Sequence, residues 1–290
     1  MKRLLGLALA VTALFFAGCN KTEEEENEAY DVTKVTAPTN SSKKVVLLEE
    51  FTGINYGWCA AGHKIMNDVM SAHPGKVFGI NIHTGVHSAD TYTTEFGSEL
   101  ANQSYIKAYP VGTVNRHVFQ GMWQDTVRKG TAMSCDSLAA AANIILSQPS
   151  CANIAAKAQI NRTTRELTVA VAVYYTSRAN GTTHVINVAV LQDSVWGSQS
   201  GAQTYNPAQY NAARGKYCHM HMLRHLVTGQ WGDEITPVVG EQMKRIYTYT
   251  LPEKIGLDNV VLEHLEIVAF LAEGHQEVIT ACKAPIKIIK

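Results

Sequence analysis

Apolar and polar positions follow different rhythms in the two halves of the chain. Residues 45–51 and 77–83 are almost continuous apolar runs, as in strands buried on both faces. Between them residues 59–72 recur at helical spacing, with Cys59, His63, Met66 and Met70 near one face. Strand, helix, strand in that order predicts a β-α-β unit with parallel strands and a right-handed crossover. A further helix is predicted over 92–106, a strand within 108–116 that Val118 and Phe119 extend, and an alanine- and leucine-rich helix over 136–146. After the turn-forming Gln148-Pro149-Ser150, β-branched and alternating segments take over at 155–160, 166–176, 183–191, 243–251, 260–271 and 277–289. Ala179-Asn180-Gly181 marks a hairpin turn, and strands without strong intervening helices predict an antiparallel sandwich. Residues 193–240 read as an insertion of polar turns with one short helical piece.

The start of the chain stands apart from these rhythms. Lys2 and Arg3 precede an apolar stretch over 4–16, well short of the roughly 20 residues that span a bilayer, so it reads as a signal peptide. Its end, Phe16-Ala17-Gly18-Cys19, resembles the lipobox of bacterial lipoproteins, although Phe16 stands where leucine is usual. That resemblance implies cleavage before Cys19 and acylation of Cys19. Several acyl chains, at about 0.8 kcal/mol per buried methylene, anchor a protein to a membrane where one does not. Residues 19–43, with Glu23 to Glu26 and later Pro38, Ser41 and Ser42, hold too little apolar surface to offset ordering and are expected to be a flexible tether. The acidic residues behind Cys19 resemble the export signal of surface-displayed Bacteroidetes lipoproteins; the inner face of the outer membrane is the other placement.

With 290 residues, 46% of them hydrophobic, the chain can bury a substantial core, and two domains are expected. A net charge of zero and scattered basic residues argue against nucleic-acid binding. The organisation expected is therefore a signal peptide at 1–18, a lipidated tether at 19–43, an α/β domain at 44–149 and an all-β, sandwich-like C-terminal domain at 150–290.

Candidate chemistry begins at Glu49-Glu50-Phe51-Thr52-Gly53, followed by Tyr56-Gly57-Trp58-Cys59. This segment resembles the active-site strand and Cys-x-x-Cys turn of a thioredoxin-like domain, but Tyr56 occupies the place of the attacking cysteine. A phenol with an unperturbed pKa of about 10 does not replace a thiolate in disulfide exchange. Cys59 remains, with His63 at i,i+4. A catalytic Cys59–His63 pair, a buried structural cysteine beside a surface histidine, and a Cys59 that pairs with another cysteine or a partner protein all stay open. Pro110 resembles the cis-proline that faces the redox turn in this fold, where an adjoining backbone edge can pair with an extended peptide.

Cys218, His219, His221 and His225 form the densest group of potential metal ligands, though no regular element aligns them and no partner motif completes a zinc pattern. His83 and His87, in the loop after the second strand, are weaker candidates. Apart from Cys19 the cysteines are Cys59, Cys135, Cys151, Cys218 and Cys282. Export permits disulfides, and five cysteines leave at least one thiol free or paired between chains; a helix over 136–146 holds Cys135 and Cys151 apart, and Cys282 with Cys151 or Cys218 is the more plausible pairing. No cofactor is implied.

The lipobox, the acidic stretch, the strand end, the half-motif and Tyr109-Pro110-Val111-Gly112-Thr113-Val114-Asn115-Arg116 are together similar to the outer-membrane-protein-28-related lipoproteins of the Bacteroidetes. Tyr217-Cys218-His219-Met220-His221-Met222-Leu223-Arg224 and Thr228-Gly229-Gln230-Trp231-Gly232 extend the likeness into the second half. The resemblance implies a thioredoxin-like domain fused to a β-rich domain at the outer membrane. The leading expectation is a surface lipoprotein that binds a host protein, a peptide or an envelope component. The alternatives are an envelope thiol oxidoreductase or isomerase working through Cys59, and a structural component of an outer-membrane complex.

Overall fold

The computed structural model describes residues 30–89 and 91–290; Cys19, the signal peptide and the glutamates of the tether lie outside them. The first apolar run forms β1 (Val46–Thr52), every residue of it buried. Because strand side chains alternate, Val46 and Leu48 join one apolar cluster while Leu47 and Phe51 join another on the opposite face. Helix α1 (Cys59–Ala72) lays Met66 and Val69 against Val46 and Leu48. Strand β2 (Val77–His83) then pairs parallel with β1 along its whole length, as the continuous apolar pattern predicts. Helix α2 (Gly97–Ser104) is shorter than the predicted 92–106 and ends at Tyr105 in the left-handed region. Strand β3 (Val111–Val114) pairs antiparallel with β1 and stops at Asn115 and Arg116, both at positive φ, so Val118 and Phe119 do not extend it. The two-residue β4 (Met133–Ser134) covers the outer edge of β3, and α3 (Leu138–Ser147) packs Leu138, Ala141, Ala142 and Ile145 on the α1 side of β1.

The second half continues with β5 (Ala152–Asn161), β6 (Glu166–Tyr175), β7 (His184–Gln192) and β8 (Val195–Gly197). After a single-turn helix, α4 (Ala202–Tyr205), come β9 (Lys216–His219), β10 (Met222–Leu226), β11 (Gln242–Thr250), β12 (Leu265–Glu273) and β13 (Glu277–Ala284). Pro285 then breaks the long strand predicted over 277–289 and sends β14 (Ile286–Ile289) into a different sheet. Residues 260–264 are not strand; a short 3₁₀ turn, Leu262–His264, precedes β12.

Two sheets dominate. The smaller runs β11-β6-β5-β14, and the larger runs β13-β12-β7-β10-β2-β1-β3-β4, with Asp233–Ile235 also pairing with β7. They pack face to face through Ile154, Leu167, Val169, Val171 and Val173 on one side and Ile186, Val188, Val190, Ile267 and Leu271 on the other, which is the predicted sandwich. The opposite face of β7 and β12, with Val185, Ala189, Leu191, Val268 and Phe270, forms one core with Leu47, Phe51, Ile80 and Ile82. The cluster around α1 and α3 lies wholly before residue 149 and the cluster between the two sheets wholly after 150, while this third core draws on both sides. One sheet crosses the predicted boundary at 149/150, joined where Met222 of β10 pairs with Asn81 of β2.

The tether predicted over 19–43 is ordered from Val32 onward. Val32, Val35 and Ala37 are buried against Ala170 and Ala172 of β6, and Ala37 exchanges hydrogen bonds with the side chain of Gln242. Three spaced apolar residues suffice to dock this piece. Among the described residues no helix is long and apolar enough to cross a membrane.

Candidate functional site

The turn between β1 and α1 is held by the chain's own later segments. Asn55 N–H donates to the carbonyl of His87 at 2.9 Å, Ser200 N–H donates to that of Ile54 at 2.8 Å, and the Gln199 amide reaches the carbonyls of Gly53 and Tyr56. Gly53 is required here, because a Cβ would lie 2.7 Å from the His87 backbone. The Tyr109–Pro110 peptide is cis, and Pro110 packs on Gly62 of α1. Strand β3 beside it is flanked by β1 and β4 on its two edges. On the edge away from β1, Val111 and Gly112, the two residues after Pro110, are paired with β4. The turn leaves two aromatic side chains in solvent beside the exposed Asn55: Tyr56 is 37% and Trp58 55% exposed. Trp58 stacks on Tyr205 with ring centres 4.5 Å apart, and Tyr56 stacks on His87 at 5.3 Å. A cavity of about 510 Å³ lined by Ile54, Asn55, Gln199, Gly201 and Tyr210 opens beside them.

Behind the turn lies a closed polar chamber. Cys59 is fully buried, its Sγ accepts a hydrogen bond from Gly53 N–H at 3.4 Å, and burial pushes its thiol up to about 11. His63 is not the surface residue that one sequence reading allows. It is buried, with Nε2 2.9 Å from Thr52 Oγ1 and Nδ1 3.1 Å from the Tyr217 hydroxyl. Both nitrogens are used away from Cys59, and burial followed by the neighbouring His219 lowers His63 to about 3. A neutral ring with no bond to the thiol does not form the catalytic pair that i,i+4 spacing suggests.

Period-two alternation turns Glu50 and Thr52 to the α1 side of β1, whereas Glu49 faces the other way. Glu49 makes a buried two-point ion pair with Arg116 at 2.9 and 2.6 Å and accepts the Thr113 hydroxyl at 3.0 Å. Glu50 has no hydrogen-bond partner at either oxygen, and burial raises its carboxyl well above the usual range. Its Oε1 lies 3.9 Å from His63 Nε2, and beyond His63 the rings of His83 from β2, Tyr217 and His219 from β9, and Tyr92 pack together. Ring centres are 5.2 Å apart for His83–His219, 6.1 Å for His63–His219 and 6.3 Å for His63–His83. Burial lowers His83 well below its ordinary value and His219 to about 4.

The four clustered residues proposed from sequence as metal ligands are dispersed. On β9, Tyr217 and His219 point inward and Cys218 outward, and the chain turns at His221, which has φ 52°. His221 Nδ1 bonds Glu266 at 2.7 Å and lies 3.5 Å from Asp193, while Lys283 also pairs with Glu266. His225 stacks on Tyr249 at 4.1 Å. Asp193, His221 and Glu266 bring three donor atoms within 4.8 Å of one another, but the ammonium of Lys283 on Glu266 makes this an ion-pair network. The proposed disulfide from Cys282 to Cys151 or Cys218 is absent. Cys59, Cys135, Cys151, Cys218 and Cys282 are all free thiols.

Glu50 and Tyr217 stand in quoted segments, but neither they nor Tyr92 are assigned a role from sequence, and His83 is only a weak candidate there. One signal was available: a carboxylate inside an otherwise apolar strand calls for buried partners. The Tyr-Cys-His alternation on β9 is a second, readable once that segment is taken as strand rather than helix.

HBP35 of Porphyromonas gingivalis is similar in structure, with a TM-score of 0.64 at 18% identity over 84% of this chain and 76% of that one. A protein of Agrobacterium tumefaciens gives 0.52 at 10% identity over 84% and 96%. A domain of the outer membrane lipoprotein Omp28 from Porphyromonas gingivalis gives 0.33 at 21% identity over 49% and 92%. At these identities the first two show likeness of fold. No curated protein sequence matches the chain. The family pattern of outer membrane protein Omp28 matches residues 97–289, about two thirds of the sequence, and the chain belongs to that family of outer membrane proteins.

Proposed function

We propose that this protein is a lipid-anchored, surface-exposed binding module of the outer membrane, built on a thioredoxin-like scaffold that has lost thiol exchange. Anchorage is assigned to Cys19, and contact with a host protein, peptide or envelope component to the aromatic face of the redox-motif turn. The observation that carries the reading is the reversal of that turn's usual chemistry. The position of the attacking thiolate holds an exposed Tyr56 with Trp58 beside it, and the remaining cysteine is fully buried. A thiol at about 11 is ionised in only about one molecule in ten thousand at pH 7. Large aromatic side chains in solvent beside a cavity are instead what binding surfaces use as anchors.

The test has two arms. Insulin reduction and mixed-disulfide trapping with the purified full chain are expected to give no turnover; activity that disappears in Cys59→Ser would make the protein an enzyme. Protease treatment of intact cells is expected to degrade it, and complete protection would put it on the periplasmic side. Binding to an immobilised peptide library and to envelope fractions is expected to fall at least tenfold in Tyr56→Ala/Trp58→Ala. Binding indifferent to both residues would move the contact elsewhere.

A further inference from the structure

Residues 194–213 contain no charged side chain and no histidine, in a chain that is 17% charged. The fold gathers this neutral stretch into a concave surface. The cavity of about 510 Å³ beside the turn is lined, beyond Ile54 and Asn55, by Ser198, Ser200, Gln203 and Thr204, and also by Tyr210. Tyr210 lines a neighbouring cavity of about 370 Å³ as well, together with Trp196, Gln209, Asn211, Cys218 and Met220. Neither lining includes Asp, Glu, Lys, Arg or His. Other cavities of the molecule are charged: one beside β2 contains His221, Glu266 and Lys283, and another contains Lys44, Arg178 and Glu277.

The polar groups of the neutral surface are uncommitted. Ser198, Ser200, Gln203 and Thr204 are exposed, and their side chains make no hydrogen bond to the described residues. The backbone beneath them is fixed. Ser200 N–H donates to the carbonyl of Ile54 at 2.8 Å, and Gly201, at φ 71°, sits so near the turn that a Cβ would lie 2.5 Å from the Gly57 carbonyl oxygen. Gln209 accepts from the Tyr217 hydroxyl at 2.8 Å and the Asn67 amide at 3.1 Å, and donates to the Cys218 carbonyl at 3.0 Å. Arg214 lies over one face of the Trp196 indole at 5.0 Å. A surface ordered in advance loses little conformational freedom when it binds.

This combination selects a ligand class. A neutral sugar presents hydroxyls that donate and accept at once, and a C–H face that lies flat on an aromatic ring. Hydroxyl, amide, phenol and indole groups match both without an ion. A charged ligand would give up hydration and find no opposite charge in the lining. We propose that the two cavities joined at Tyr210 bind a neutral oligosaccharide, an assignment that rests on reading the chain as a binding module. Ser198, Ser200, Gln203 and Thr204 hydrogen-bond its hydroxyls, and Tyr210 and Trp196 pack on its C–H faces. The larger cavity falls within the range of about 300–1,000 Å³ usual for small-molecule sites.

The experiment applies the purified, fluorescently labelled full chain to a printed array of mammalian glycans, neutral, sialylated and sulfated, and of bacterial polysaccharides. Binding to neutral glycans is expected, and the arm of the array that responds distinguishes a host source from an envelope source. The strongest neutral oligosaccharide is then titrated by calorimetry. Gln203→Ala/Thr204→Ala and Tyr210→Ala are each expected to weaken it by about tenfold or more. The first variant alters only exposed side chains, so it decides the matter if Tyr210→Ala fails to fold. An array on which only acidic glycans respond, or neutral-glycan binding indifferent to these substitutions, would overturn the proposal. Peptide binding that depends on Tyr56 and Trp58, with the glycan array blank, would overturn it too and leave the binding-module reading standing. A glycan titration that fails in Gln203→Ala/Thr204→Ala while peptide binding is absent would support the cavities as the contact and remove the aromatic face.

Discussion

Replacing Arg116 with methionine removes the guanidinium that neutralises Glu49 while keeping most of the side chain's bulk. The pair is almost sealed from water, with Arg116 5% and Glu49 2% exposed, and is joined by two hydrogen bonds of 2.9 and 2.6 Å. In Arg116→Met, Glu49 retains only the Thr113 hydroxyl, and the contact of the guanidinium with the Phe270 ring, 5.1 Å away, is also lost. Charges about 4 Å apart at an effective dielectric of 20 attract by about 4 kcal/mol, and stranding one partner of a buried pair costs about 3–5 kcal/mol. That is a large share of the roughly 5–15 kcal/mol by which domains are stable. Equilibrium urea unfolding followed by tryptophan fluorescence should therefore show Arg116→Met losing about 3–5 kcal/mol. The double variant Glu49→Gln/Arg116→Met should recover at least about 2 kcal/mol of that loss, because it leaves no unpaired charge. A single variant within 1 kcal/mol of the parent, or losses that simply add, would refute the claim that this pair locks β1 to the end of β3.

Three other outcomes follow from the geometry. Gly62→Ala gains helix propensity but places a Cβ 2.9 Å from Pro110 and against Glu50, so the melting temperature should fall by an amount equivalent to about 1–2 kcal/mol; a stabilised variant would contradict the close approach. Cys59 should resist iodoacetamide in the native chain at pH 7.5 and react on unfolding, as read by peptide mass mapping, since burial pushes its thiol up to about 11. Burial opposes ionisation of Glu266, yet the bonds and charges of His221 and Lys283 overcome it and hold the carboxyl at about 2. A folded value below the unfolded one of about 4.5 adds about 3 kcal/mol of stability above pH 4.5, lost as pH falls toward 2. Glu266→Gln should consequently be less stable than the parent at pH 7, with the gap closing in acid; a gap independent of pH would disprove the linkage.

The local elements were legible because single stretches carried them. Continuous apolar residues over 77–83 and the helical spacing over 59–72 correspond to β2 and α1 without change. Asn115 and Arg116 were quoted as part of a signature, but their work was hidden. Asn115 ties β1 to β13 by bonding the backbone of Leu47, Val45 and Val278, and those partners lie up to 163 positions away. The single large sheet was equally hidden. Strands β7 and β12 are apolar on both faces, a pattern that fits one sandwich face as well as a position shared between two cores. The histidine chamber failed for a third reason: His63, His83 and His219 are dispersed over three elements, and only their burial reveals them as a group. The family match begins at residue 97, so it says nothing of the Tyr56–Cys59 turn, which had to be read from its own residues.

The order of strands in the two sheets has a consequence for biogenesis. The N-terminal piece at 32–37 lies on β6, and the last strand, β14, pairs with β5 in the same sheet, while β12 and β13 close the larger one. A nascent chain halted before residue 265 would expose the Leu47, Phe51 and Ile82 face of β1 and β2, whose cover is Val268 and Phe270. Neither half can finish folding while the other is still being made. Until residues 265–273 are in place that face stays uncovered, which ties completion of the core around β1 and β2 to strand β12.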